Sequence, residues 1–163
     1  MNLKKITAKK IIALIVLIGL SACASMKNET AIVQATPVMF NAEASPPLGP
    51  YSCAVRAGGL VFTAGVTAFD AEKGAFAGTN IEAQTEQAID NLEAVLASAD
   101  VGLDDLIKLT VYLKNPADSR GMSAVYEKRL GAHRPARTPV PGAECARDDI
   151  LIEINAIAVC RCD

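Results

Sequence analysis

The charged residues that could do chemistry in this chain stand in its last third. Ile150 to Val159 reads Ile-Leu-Ile-Glu-Ile-Asn-Ala-Ile-Ala-Val, an apolar stretch interrupted by one carboxylate, Glu153. An ionised carboxylate among apolar neighbours is costly unless it is paired or hydrogen-bonded. Arg137, after Pro135-Ala136, offers the complementary group, a planar guanidinium able to grip a carboxylate through two parallel N–H bonds. Taken alone, the two read as an ion pair buried at a subunit interface, because paired buried charges are more often structural than catalytic. His133, the only histidine, lies in a polar loop with no Cys, Asp or Glu at ligand spacing; it reads as a solvated loop residue, and no metal site is expected. Gly58-Gly59 and Gly74 read as turns without the context of a phosphate loop, and Tyr126 as a residue that packs its helix.

The elements that must position these groups follow from periodicity. Ser45-Pro46-Pro47-Leu48-Gly49-Pro50 is a stiff extended lead-in, since its three prolines prevent a helix. Tyr51 to Arg56 and Leu60 to Thr67 read as a hairpin around Ala57-Gly58-Gly59. Ile81, Ala88, Leu92, Val95, Leu96 and Ala99 recur at helical spacing, and Thr79 and Glu82 stand at capping-box distance, predicting a helix over about 80–99. Leu106 to Leu113 predicts a strand, Arg120 to Leu130 a shorter helix, Arg137 to Val140 a short strand and Ile150 to Val159 the last strand. The order β-β-α-β-α-β-β predicts an α+β fold, two helices on one face of a mixed sheet. Ile150, Ile152, Ile154, Ala156 and Ala158 line one face of the last strand, while Leu151, Glu153, Asn155, Ile157 and Val159 line the other. A face not covered by helices should be wet, so its apolar character predicts a second copy of the chain against it.

Composition narrows the field. The chain has 163 residues, one compact domain's worth, and 51% hydrophobic content with 21% charge excludes a disordered protein. Residues 1–22 begin with Lys4, Lys5, Lys9 and Lys10 and continue through the apolar run Ile11 to Leu20, too short to span a membrane and of signal-peptide length. Removing those four lysines from the 16 basic residues leaves 12 against 18 acidic ones, a net charge of −6, and no basic stripe is present, so nucleic acid is not an expected partner. Leu20-Ser21-Ala22-Cys23 resembles the lipobox of bacterial lipoproteins. The resemblance implies that Cys23 is lipidated and anchors the chain to the membrane; Ala24 in place of Asp favours the outer over the inner membrane. The alternative is an ordinary secretory signal with an incidental Cys. Residues 23–45 read as a flexible tether, with Val38-Met39-Phe40 docking on the domain as the alternative. An exported chain can carry disulfides; Cys53, Cys145, Cys160 and Cys162 allow three pairings, and a bridge from the Cys160/Cys162 pair to elsewhere is expected.

Several collinear segments then converge on one family. Ser45-Pro46-Pro47-Leu48-Gly49-Pro50-Tyr51-Ser52, Leu60-Val61-Phe62-Thr63-Ala64-Gly65, Asn91 to Leu96, Lys108 to Leu113, Pro135-Ala136-Arg137-Thr138 and Ile152 to Ala158 resemble, in order and spacing, the RidA (YjgF-type) family of enamine/imine deaminases. The resemblance spans 46–163 and implies a chorismate-mutase-like fold, a homotrimer with a central barrel, ligand sites in the clefts between subunits, and no cofactor. It implies hydrolysis of reactive 2-imino acids and their enamine tautomers to 2-keto acids and ammonia. Arg137 matches the family's carboxylate-binding Arg, Glu153 the Glu assigned to the attacking water and Tyr51 the cleft-wall Tyr, while Thr63, Ala64 and Ser123 fall at substrate-binding positions. Three positions depart from the pattern: Ala64 replaces a Ser, Ser123 an Asn and Pro139 a Cys. An alternative that keeps the fold is a non-catalytic, carboxylate-binding or holdase-like module of the cell envelope.

Overall fold

The computed structural model describes residues 37–43 and 45–160. The signal segment 1–22 and Cys23 lie outside them. The elements run β1 (Val38–Phe40), β2 (Ala54–Ala57), β3 (Leu60–Thr63), β4 (Val66–Thr67), β5 (Phe69–Asp70), β6 (Ala75–Phe76), α1 (Ile81–Ala97), β7 (Leu106–Leu113), α2 (Ser119–Leu130), β8 (Ala136–Pro141) and β9 (Ile152–Val159). The main sheet is ordered β1-β2-β3-β9-β7-β8, with β4 also paired to β9; β7 and β8 are parallel and the other pairs antiparallel. β5 and β6 form a separate small hairpin. This is the mixed-sheet α+β architecture expected from the β-β-α-β-α-β-β order.

Apolar periodicity explains the layering. Ile81, Ala88, Ile89, Leu92, Val95 and Leu96 bury one stripe of α1 against the inner sheet face, where Val61, Leu109, Val111, Ile152, Ile154 and Ala158 are all 1% exposed or less. Truncating one such side chain, as in Leu92→Ala, would cost about 2–5 kcal/mol. β7 needs a correction to strict alternation to join this face, and a register irregularity between Leu106 and Lys108 supplies it. One extra residue there leaves Ile107 outside and turns both Leu106 and Leu109 inward.

Three local expectations differ from the structure. The cap of α1 is Asn80, whose extended backbone lets Oδ1 accept from the Ala83 N–H at 2.8 Å, in place of the Thr79/Glu82 capping box; Glu82 instead puts its charge in the first turn. Val38–Phe40, expected within the tether, pair antiparallel with β2 through Val38↔Arg56 and Phe40↔Ala54, and the Arg56 guanidinium lies 5.2 Å from the Phe40 ring. The run from Leu60 to Thr67 breaks at Ala64-Gly65 into β3 and β4.

Two buried polar residues on α1 tie the helix to the sheet. Gln84 donates through Nε2 to the Asp149 carbonyl at 2.7 Å and accepts from the Leu151 N–H at 2.9 Å, while Asn91 donates through Nδ2 to the Thr67 and Phe69 carbonyls, each at 2.8 Å. Both are buried side chains whose amide nitrogens are satisfied by backbone groups of neighbouring segments. On the other face of the sheet, Val55 pairs with Phe62 and Phe62 with Ile157, a continuous apolar strip in which Phe62 is 41% exposed. Cys53 and Cys145 are free thiols and Cys160 is disulfide-bonded, so neither Cys53 nor Cys145 takes part in a bridge.

Candidate active site

Arg137 is positioned by the parallel pairing of β8 on β7, which sets it opposite Leu109. Residues in register share a face, so its side chain stands on the helix side of the sheet, beneath α2. There Met122, Ser123 and Tyr126 meet it across one helical turn. Nη2 donates to Ser123 Oγ at 3.0 Å, Nη1 lies 3.4 Å from Met122 Sδ, and the guanidinium carbon sits 5.0 Å from the centroid of the Tyr126 ring. All three partners are neutral. Among the described residues no carboxylate lies within ion-pair distance of Arg137. Ser123, Tyr126 and Arg137 line a cavity of about 430 Å³ together with Leu109, Glu127, His133 and Arg134. Burial pushes the Tyr126 phenol well above its ordinary value, with the Arg137 charge opposing, and the hydroxyl stays neutral. Its oxygen has no hydrogen-bond partner among the described residues. His133 is not a solvated residue: it is half-buried, with Nε2 2.8 Å from the Leu106 carbonyl.

Glu153 is positioned by the break between β3 and β4. Thr63 Oγ1 donates to the Ala64 carbonyl and accepts from the Ala156 N–H, each at 2.9 Å, so its hydroxyl closes the sheet where the ladder lapses. Beyond it Gly65 runs against the Glu153 carboxylate. A Cβ at residue 65 would lie 1.9 Å from Oε1 and 2.5 Å from Cδ, so only glycine leaves room for this placement. Thr67 pairs with Glu153 across β4 and β9. A second cavity, of about 440 Å³, opens here, lined by Tyr51, Ala64, Gly65 and Glu153 and by the Ser45–Leu48 lead-in. Tyr51 Oη accepts from the Leu48 N–H at 3.1 Å, fixing the ring against the lead-in. No cation among the described residues is within ion-pair distance of Glu153. Burial raises the nearby Cys145 thiol and the Glu153 charge raises it further, which keeps it a thiol.

The six predicted site residues therefore fall in three places. Tyr51, Ala64 and Glu153 share one cavity, Ser123 and Arg137 share the other, and Thr63 stands behind the wall of the first without lining it. β7 separates the two: Arg137 is in register with Leu109, Glu153 with Tyr112, on opposite faces. Two strand spacings and three residues put their Cα atoms roughly 14 Å apart. The ion pair that the two residues suggest when taken alone does not form within a chain. Gly65 and Asn91 appear in the sequence reading only within family motifs and without these roles, although a glycine inside a strand and an amide on an apolar helix stripe are the signals that mark them. Among the described residues no cluster of His, Cys, Asp or Glu is arranged to hold a metal ion.

Against known proteins, the profile of the family described as Endoribonuclease L-PSP matches residues 42–160. The chain belongs to this family. The L-PSP match contains both cavities and all six predicted catalytic and substrate-binding residues, while Cys23 lies outside it. Among relatives, a RutC family protein of Pyrococcus abyssi is 40% identical over 124 residues, covering 76% of this chain and 97% of that protein. The 2-iminobutanoate/2-iminopropanoate deaminase of Salmonella typhimurium is 36% identical over 117 residues, covering 70% and 90%. Among solved structures, the YjgF gene product of E. coli superposes with a TM-score of 0.70 at 32% identity, covering 76% of this chain and 99% of its own, and E. coli TdcF with bound serine does so at 0.69 and 28%, covering 75% and 98%.

Proposed function

We propose that this L-PSP-family chain hydrolyses 2-imino acids to 2-keto acids and ammonia. The observation that carries the reading is the guanidinium of Arg137, pre-oriented by Ser123 and Tyr126 yet lacking a carboxylate partner among the described residues. A charged fork held by neutral groups is ready for an external carboxylate. Its complement, Glu153, is equally unpaired and lies beyond β7, so a working site needs Arg137 of one subunit facing the Tyr51–Glu153 cavity of the next. A homotrimer that buries the Val55–Phe62–Ile157 strip meets that need and covers the apolar face.

In the reaction, Arg137 holds the substrate carboxylate and Glu153 orients a water toward the adjacent C=N carbon. As the C–O bond forms, the π pair moves to nitrogen, and Glu153 takes a proton from the water and passes it to that nitrogen, giving a carbinolamine. Glu153 then takes the hydroxyl proton and delivers it to the departing nitrogen; the C=O bond forms, the C–N bond breaks, ammonia leaves and Glu153 ends as a carboxylate. The same proposal places the chain in the cell envelope, anchored through lipidated Cys23 on the periplasmic side.

An amino-acid oxidase that generates 2-imino acids in situ provides the test. Keto-acid release should accelerate when the protein is added, and sedimentation should give a trimer. No acceleration, with retained binding of 2-keto acids, would replace hydrolysis by a carboxylate-binding role; a stable monomer at micromolar concentration would refute the shared site.

A further inference from the structure

Given the site proposed above, one substituent of the substrate remains without an assigned place. The carboxylate goes to Arg137 and the imine carbon to Glu153, so the side chain on the imine carbon must occupy the rest of the Glu153 cavity. That space, about 440 Å³, is several times what a methyl group fills and falls within the ordinary range for small-molecule sites. Its floor is made of core side chains: Val66, Val95 and Ile150, at 3%, 0% and 4% exposure, all face it, with Phe69 and Leu48 as walls. Several polar groups nearby are already engaged. The Tyr51 hydroxyl is held by Leu48, the Cys53 thiol donates to the Ser45 carbonyl at 3.0 Å, and the Thr67 and Phe69 carbonyls are taken by Asn91. Ala64 adds only a methyl.

We infer that the preferred substrates are 2-imino acids with bulky apolar side chains, of the size derived from leucine, methionine or phenylalanine. Each methylene moved from water onto such a surface is worth about fourfold in binding, and part of that gain is realised in kcat/KM when the side chain stays buried in the transition state. A side chain ending in a carboxylate is disfavoured, because Glu153 repels an anion and the core side chains offer it no polar partner.

The test compares imines that the oxidase makes in situ from leucine and from alanine, with the full chain. The imine carbon is planar, so either enantiomer of the amino acid gives the same substrate. The leucine-derived imine should show kcat/KM at least tenfold above the alanine-derived one, and Ala146→Leu, which puts bulk into the same cavity, should bring that ratio toward one. A wild-type ratio of one or less overturns this inference and leaves the hydrolytic reading intact. If neither imine is turned over, the hydrolytic reading fails, and calorimetry with 4-methyl-2-oxopentanoate and pyruvate still decides: binding of the former at least tenfold tighter upholds the inference, whereas equal binding, weaker binding or none refutes it.

Discussion

Gly65→Ala isolates the placement of one carboxylate from the stability of the fold. The new Cβ would come 1.9 Å from Glu153 Oε1, about 1.5 Å short of ordinary van der Waals contact, and also 3.0 Å from Cγ. Only the flexible end of Glu153 stands in the way; no backbone atom is among the three nearest contacts. The chain can relieve the clash by rotating Glu153, so the folding cost should stay below about 1 kcal/mol. Catalysis has no such escape. A carboxylate displaced by more than about 1 Å no longer aims its water at the imine carbon, and a misplacement of that size costs on the order of a hundredfold in rate. Thermal unfolding and the oxidase-coupled assay, run on the same preparation, separate the two effects: Tm within a few degrees of wild type, kcat down to the level of Glu153→Gln. Wild-type kcat in Gly65→Ala, with Tm unchanged, would refute the role given to Glu153.

Other perturbations reach the remaining parts. Arg137→Lys keeps the charge but loses the fork, and kcat/KM should fall by roughly one to two decades; Glu153→Gln should lower kcat more than it raises KM, and wild-type kinetics in both would void the assignments. Arg129 joins α2 to α1 through Glu86 at 3.0 Å, Asp90 at 2.6 Å and Glu93 at 3.3 Å, so Arg129→Ala should cost about 1 kcal/mol. Lys128 and then Arg129 hold the Glu86 carboxyl below its usual range. A depressed carboxyl contributes stability that is present above its unfolded value near pH 4.5 and is lost as pH falls through the folded one. The Tm gap between wild type and Arg129→Ala should therefore narrow as pH falls from about 5 to about 3; a constant gap would discount the ion pairs. Cys23→Ser should move the protein from the detergent phase to the aqueous phase, and unchanged partition would remove the lipid anchor.

What was legible in the sequence were features with a strong period or an unusual residue. The stripe of α1, the alternation of β9 and the lone carboxylate within it each depend on neighbours a few residues away, and both helices and the strands β7, β8 and β9 stand within about two residues of where such patterns place them. What was not legible depends on contacts between distant segments. Nothing near Thr63 indicates that its hydroxyl bonds to Ala156, which diverts it from the cavity. Val38–Phe40 is too short to show an alternation of its own, and gains strand character from β2. The cap of α1 fell one residue from its expected site because Thr79 and Asn80 are both good caps and only backbone geometry chooses between them.

The position of β7 between Arg137 and Glu153 has a genetic consequence. In a homotrimer whose sites each draw Arg137 from one chain and Glu153 from its neighbour, a chain lacking either residue is still competent in the other half of its contacts. Two inactive proteins, Arg137→Ala and Glu153→Gln, would then regain activity when unfolded together and reassembled. With equal amounts and random assembly, about a quarter of the sites would pair an intact arginine with an intact glutamate. A cell carrying both alleles would keep a comparable share of its activity, and neither allele would be a simple loss of function in the presence of the other.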